Sequence, residues 1–214
     1  MSDVVSNDLH PFDIDIVSDH FERAIIGERD VDLPLYIAAY RELNKLFALL
    51  GTVFAFVRSD VEAKEAILAN LYASSHEHYA TVCSMISWEC RDGAPKEQGS
   101  RTLLRLHRAL QFINDFLVSL KDSSDDVQVS WLCRRSYERT LSQYHGWLIR
   151  KGVAVASYTL SSRRALVQTI VGTNGPFPSE ERVNTAIRRM LNASTLVYER
   201  VQRVFSSNQL LNLP

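Results

Sequence analysis

Two pairs of charged residues set four apart, Asp60 with Lys64 and Arg101 with Arg105, are where side chains of strong chemistry are spaced to meet in this chain. Residues four apart on a helix project from one face, and two arginines so placed repel by roughly 0.2–0.5 kcal/mol. Such a pair reads either as a solvated face or as a site for an anion, whose oxygens match the guanidinium donors. Arg108 adds a cation one turn on, and pattern alone leaves open whether it joins that site or neutralises an acidic neighbour. Asp60 serves equally as a helix N-cap or as the ion-pair partner of Lys64. His145, taken alone, reads more readily as a hydrogen-bonded core histidine than as a ligand contact.

Enzyme signatures are missing. The chain has no glycine-rich phosphate loop, no His-Glu-x-x-His, no nucleophile elbow and no Cys-x-x-Cys pair. His76 and His78 are two apart, which sends them to different helical faces and argues against a metal site. Hydrolysis by His145 with Asp60 would lack both metal ligands and an oriented nucleophile. No catalytic residue, metal or cofactor is therefore expected.

Composition narrows the setting. The 214 residues carry 24 Lys and Arg against 25 Asp and Glu, so net charge gives no reason to expect a nucleic-acid partner or a polybasic anchor. With 46% hydrophobic residues the chain is long enough to bury a large core as one domain, 1–214. The three cysteines, Cys83, Cys90 and Cys133, suit a reducing compartment better than a disulfide scaffold. Met1 to Asp15 is acidic and polar, without the features of a signal peptide, and no stretch reaches the ~18 apolar residues of a membrane span. The expectation is a water-soluble cytosolic protein.

These residues must be positioned by helices, because apolar residues recur at steps of three and four through most of the chain. Eight helices are expected. They run from Phe12 to Ile26, from Leu33 to Phe56 with Gly51 as an interruption rather than an end, and from a cap at Ser59 or Asp60 to Tyr72. Then come His76 to Glu89, Ser100 to Leu120, Val127 to Ser157 with room to bend at Gly146 and Gly152, a short helix from about Ser161, and Glu180 to Phe205. Arg91 to Gly99 and Gly172 to Pro178 read as loops. The fifth helix places Leu103, Leu106, Leu110, Ile113 and Leu117 on one core-facing stripe.

Three segments carry a family resemblance. Leu50-Gly51-Thr52-Val53-Phe54-Ala55-Phe56 followed by Asp60-Val61-Glu62-Ala63-Lys64 resembles the signature of the glycolipid transfer protein superfamily. Gly99 to Leu110 is similar to its central helix, and Tyr144-His145-Gly146-Trp147 to its Tyr-His-x-Trp element. The ending Leu210-Leu211-Asn212-Leu213-Pro214 resembles the branch that carries ceramide-1-phosphate. The resemblance implies an all-α, two-layer sandwich of about eight helices around an apolar lipid pocket. Glycolipid-specific members have Asn where this chain has Lys64, and a sugar-stacking Trp where it has Arg105.

The same resemblance implies roles for the site residues. Lys64, Arg101 and Arg105 hold a phosphate, while Asp60 and His145 read the ceramide amide. Phe54, Phe56, Phe112, Phe116, Leu141, Val153 and Val155 are candidates to line the pocket, although such residues are as readily ordinary core. Trp147, extended by Tyr158 and Leu160, is the candidate membrane contact. The short loop between Glu89 and Ser100, and Glu65 beside Lys64, argue against further basic docking contacts there. The implied function is non-enzymatic transfer of ceramide-1-phosphate by a monomer that touches membranes transiently. The alternative is an adaptor that senses the same lipid and acts through a protein partner.

Overall fold

Short polar side chains start the helices of this chain by accepting backbone N–H groups that the first turn leaves unpaired. The computed structural model describes residues 12–93, 98–172 and 176–214. Among the described residues there are ten helices: α1 (Ile14–Arg23), α2 (Leu33–Leu49), α3 (Ala55–Ser74), α4 (His76–Tyr79), α5 (Val82–Glu89), α6 (Gly99–Lys121), α7 (Val129–Thr140), α8 (Trp147–Ser157), α9 (Arg163–Val171) and α10 (Glu180–Ser207). Asp13, Asp32, Ser162 and Ser179 cap α1, α2, α9 and α10. Thr81 and Ser84 form a reciprocal capping box at α5.

Several expected helices are divided, each for a local reason. Phe12 to Ile26 stops as a helix at Arg23, and a short antiparallel hairpin follows, β1 (Ile25–Ile26) and β2 (Asp30–Val31). The buried Arg200 of α10 pins that hairpin by donating to the carbonyls of Ile26, Gly27 and Asp30 at 3.0, 2.8 and 3.0 Å. Gly51 does end its helix: its φ of 101° is a conformation that L side chains rarely adopt, and α3 starts anew after a 3-10 turn at Thr52–Phe54. Ser59 and Asp60 therefore lie inside α3 rather than capping it. His76 to Glu89 breaks at the Thr81 cap. Val127 to Ser157 becomes α7, a 3-10 turn at Ser142–Tyr144, and α8, so Gly146 precedes α8 instead of bending a longer helix. The expected loops at Arg91 to Gly99 and Gly172 to Pro178 lie partly outside the described residues, and α6 begins at Gly99 itself.

The helices form the expected two-layer all-α sandwich. α1, α2 and α3 pack in succession and face α10, α6 and α7, with α1 meeting α10 and α3 meeting α6. Tyr40 of α2 reaches across to donate to the Leu106 carbonyl of α6 at 2.5 Å. Leu103, Leu106, Leu110 and Leu117 are buried along the predicted stripe, and Ile113 is half-buried.

The start of α6 is held by a buried carboxylate. Glu89 accepts from the N–H groups of Gly99 and Ser100 at 2.9 and 2.7 Å, from the Ser100 hydroxyl at 2.6 Å and from the Tyr79 hydroxyl at 3.2 Å. Gly99 is glycine for this reason, since a Cβ there would sit 2.4 Å from Glu89 Oε1 and 2.9 Å from Met85 Sδ. Further along, His107 is buried against Tyr198, with ring centroids 4.2 Å apart, and pairs with Gln202 at 2.7 Å. Burial pushes its pKa down to about 4, with Arg108 assisting and the Gln202 bond opposing.

These contacts set the stability of two variants. Gly99→Ala forces the Glu89 carboxylate off at least one of its donors and should cost about 1–3 kcal/mol. Urea denaturation will read this as a lower midpoint at unchanged slope. His107 is neutral when folded, whereas the unfolded chain protonates it below its ordinary value of 6.5. Its contribution is thus complete above pH 6.5 and declines as pH falls toward about 4, on the order of 3 kcal/mol in all. His107→Gln should flatten the stability–pH slope across that window.

Candidate head-group site and cavity

The faces that α3 and α6 turn toward each other change character along their length. On α3, Val57, Asp60, Val61 and Lys64 share one face, and on α6 Arg105, Arg108, Ala109, Phe112 and Ile113 share another. Between them lies a cavity of about 510 Å³, closed by Tyr137 and Leu141 at the end of α7, by His145, and by Ile149, Val153 and Ala156 of α8. A smaller cavity of about 70 Å³, lined by apolar side chains, adjoins it and shares Phe47, Phe54, Phe112, Ile113 and Cys133 with it.

At the mouth, Lys64 donates to the Asp60 carboxylate, a pair whose side chains are 13% and 66% exposed respectively. Arg105 is exposed and, among the described residues, makes a single long hydrogen bond, 3.4 Å, to the Pro214 carbonyl. Arg108 is committed elsewhere: it donates to the carbonyls of Leu211 and Leu213 at 2.8 and 3.3 Å and lies over the Tyr144 ring at 4.0 Å. The role left open for it in the sequence is therefore to clamp the segment Leu210 to Pro214 against α6.

His145 follows the 3-10 turn and lines the cavity, with Nδ1 2.8 Å from the Tyr137 hydroxyl. Its backbone carbonyl accepts from Arg150 Nε at 2.7 Å. Burial holds its pKa below the ordinary histidine value, Asp60 pulls it up, and Lys64 and Arg150 push it down. The imidazole is therefore neutral at neutral pH.

Four of the five predicted head-group residues, Asp60, Lys64, Arg105 and His145, line this one cavity. Arg101 does not. It is exposed one turn nearer the start of α6, on the same helical face. Phe54, Phe56, Phe112, Leu141 and Val153 line the larger cavity, with Phe56 at its rim and 45% exposed, while Phe116 lines the smaller one. Val155 is a correction. It points outward from α8, 64% exposed, because the cavity-facing positions of that helix are 149, 153 and 156.

Trp147 and Tyr158 are strongly exposed, at 71% and 65%. Leu160, by contrast, is half-buried, packs on the core and lines the smaller cavity, so it adds nothing to an exposed patch. Leu148, 75% exposed, completes that patch and was missed, although three successive apolar residues at a helix start cannot all face inward; the third, Ile149, turns to the cavity. Tyr137 and Arg150 were missed because they meet His145 only through the turn between α7 and α8. His76 and His78 are dispersed, against Tyr72 and Trp88 respectively. Glu65 turns from the cavity to Arg41 of α2, and burial raises its pKa to about 7. No described helix is long and apolar enough to cross a membrane.

Comparison with known proteins shows the family and the fold. The family model for glycolipid transfer protein matches residues 31–172. The mouse ceramide-1-phosphate transfer protein is 33% identical over 214 residues, covering 95% of this chain and 97% of the relative. Its human counterpart is 33% identical at the same coverage. The crystal structure of the lipid-free mouse protein superposes with a TM-score of 0.86 at 34% identity, over 95% of this chain and all of that one. A human structure in complex with 2:0 ceramide-1-phosphate also gives 0.86, at 30% identity and the same coverage.

The charges around His145 predict opposite effects of their removal. In the lipid-free protein its imidazole, followed by proton NMR, should titrate below the usual histidine range. Asp60→Asn should move that midpoint further down, and Lys64→Met should move it up.

Proposed function

Because the chain belongs to the glycolipid transfer protein family, we propose that it moves ceramide-1-phosphate between membranes without altering it. The observation that carries this reading is the placement of Lys64 and Arg105, from α3 and α6, at the charged mouth of an otherwise apolar cavity. Further support comes from relatives named for that lipid and from the human structures that contain it.

A phosphate monoester carries about −1.5 to −2 charges near neutral pH. Arg105 has little competing engagement, and Lys64 can share its ammonium between Asp60 and the phosphate. Each charge-assisted bond contributes on the order of 1.5–3 kcal/mol. Arg101 supplies a further cation from one turn away, and its exposure suits a phosphate that stands at the surface. The Asp60 carboxylate accepts from the amide N–H and hydroxyl of the ceramide, while His145 donates to the amide carbonyl. A guanidinium at position 105 offers no aromatic platform for a sugar ring.

The hydrocarbon chains go into the cavity. Each methylene withheld from water is worth about 0.8 kcal/mol, so a sixteen-carbon chain needs roughly 12 kcal/mol of shelter that Phe54, Phe112 and Val153 help to provide. Trp147, Leu148, Tyr158 and the rim residue Phe56 meet the membrane transiently. The protein acts as a monomer and as one domain over 1–214, in the cytosol and on the cytosolic face of membranes, with no cofactor.

Transfer between vesicles tests this directly. Wild-type protein should move ceramide-1-phosphate and leave glucosylceramide behind, and Arg105→Ala should reduce that transfer by about 10-fold or more, the loss of one charge-assisted bond. Comparable transfer of glucosylceramide would reject the lipid assignment. Binding of ceramide-1-phosphate without transfer would favour the adaptor.

A further inference from the structure

We infer that Tyr137 is a positioning residue that selects the tautomer of His145, so that the imidazole presents Nε2–H to the cavity. Both rings are confined. Tyr137 sits in the last turn of α7, 5% exposed, with Phe112 edge-on against its ring at 6.3 Å and 84°. The backbone of His145 is held at both ends, its N–H donating to the Ser142 carbonyl at 3.1 Å and its carbonyl accepting from Arg150. The Tyr137 hydroxyl and His145 Nδ1 then stand 2.8 Å apart.

One hydrogen lies between those atoms, and its origin decides what the other ring nitrogen offers. If the hydroxyl donates to Nδ1, the neutral ring carries its hydrogen on Nε2. If Nδ1–H donates to the phenol oxygen, the hydroxyl hydrogen must find another acceptor. Among the described residues the Tyr137 hydroxyl has no other partner, and its residue is buried. The second arrangement leaves the hydroxyl of a buried tyrosine without a protein acceptor among the described residues, whereas the first satisfies both groups. An imidazolium leaves the same hydroxyl without a protein acceptor, and it adds a charge beside Lys64 of α3, Arg150 of α8 and the cavity-lining Arg105 and Arg108 of α6, with Asp60 opposing. The neutral Nε2–H form wins on each count.

The tautomer matters because it fixes what His145 can recognise. With Nδ1 occupied, Nε2–H is a donor at the mouth of the cavity, matched to a carbonyl oxygen such as that of a lipid amide. The opposite tautomer would direct a lone pair at the same oxygen. This consequence for binding rests on the head-group reading proposed above, whereas the tautomer itself is a property of the lipid-free chain.

The experiment uses full-length lipid-free protein with nitrogen-15-labelled histidine and long-range proton–nitrogen correlation spectra near neutral pH. His145 should show the Nε2–H form predominating, and Tyr137→Phe should shift it to a mixture of both tautomers. The same variant should bind ceramide-1-phosphate about 5- to 10-fold more weakly, the worth of one neutral hydrogen bond. A predominant Nδ1–H or charged ring in the wild type, or an unchanged tautomer in Tyr137→Phe, overturns the inference. If the tautomers behave as stated while wild-type protein binds no ceramide-1-phosphate, the inference stands and the lipid assignment fails.

Discussion

Glu89 gathers the first N–H groups of α6, and every residue that α6 gives to the cavity is counted from that anchor. Arg105 and Arg108 lie roughly one and a half to two and a half turns beyond it, and Phe112, Ile113 and Phe116 continue at the same periodicity. A change in where α6 begins would rotate cations and aromatics together out of register with Asp60 and Lys64 on α3. The anchor is buried and bonded to four donors, which fixes its geometry. It also explains why a glycine opens the helix, since the carboxylate occupies the space a side chain would need.

From that register comes the polarity of the cavity. α6 runs from cations to aromatics, and Ile149, Val153 and Ala156 of α8 add apolar wall, so the cavity joins a cationic part to an apolar one. Three cations near one mouth would repel one another, and each is moderated differently. Lys64 has Asp60, Arg108 has two backbone carbonyls and the face of Tyr144, and Arg105 has almost nothing. Of these three Arg105 has the least competing engagement, while Arg108 has a structural task.

Exposed apolar surface is concentrated on α8 and beside it. Trp147, Leu148, Val155 and Tyr158 stand out from the same helix whose other side, through Ile149, Val153 and Ala156, walls the cavity. The two faces of α8 thus separate an exposed apolar surface from a cavity wall. Lys151 over Trp147 and Arg134 over Tyr158 leave cationic groups beside those aromatic rings.

Helical class, the stripe along α6 and the start of the last helix at Glu180 were legible because each depends on residues a few positions apart. The pairing of Asp60 with Lys64, and of Arg101 with Arg105 on one face, was legible for the same reason. Sequence did not show that Arg101 falls outside the cavity lining, that Leu160 turns inward, or that Val155 turns out, because those depend on which side of a helix its neighbours cover. Nor did it show Tyr137 against His145, since the chain reverses between them. By itself the sequence determined which residues share a helical face, a matter of 3.6-residue periodicity. The tertiary structure decided which faces meet, because contact between distant segments is set by how the helices end, turn and pack.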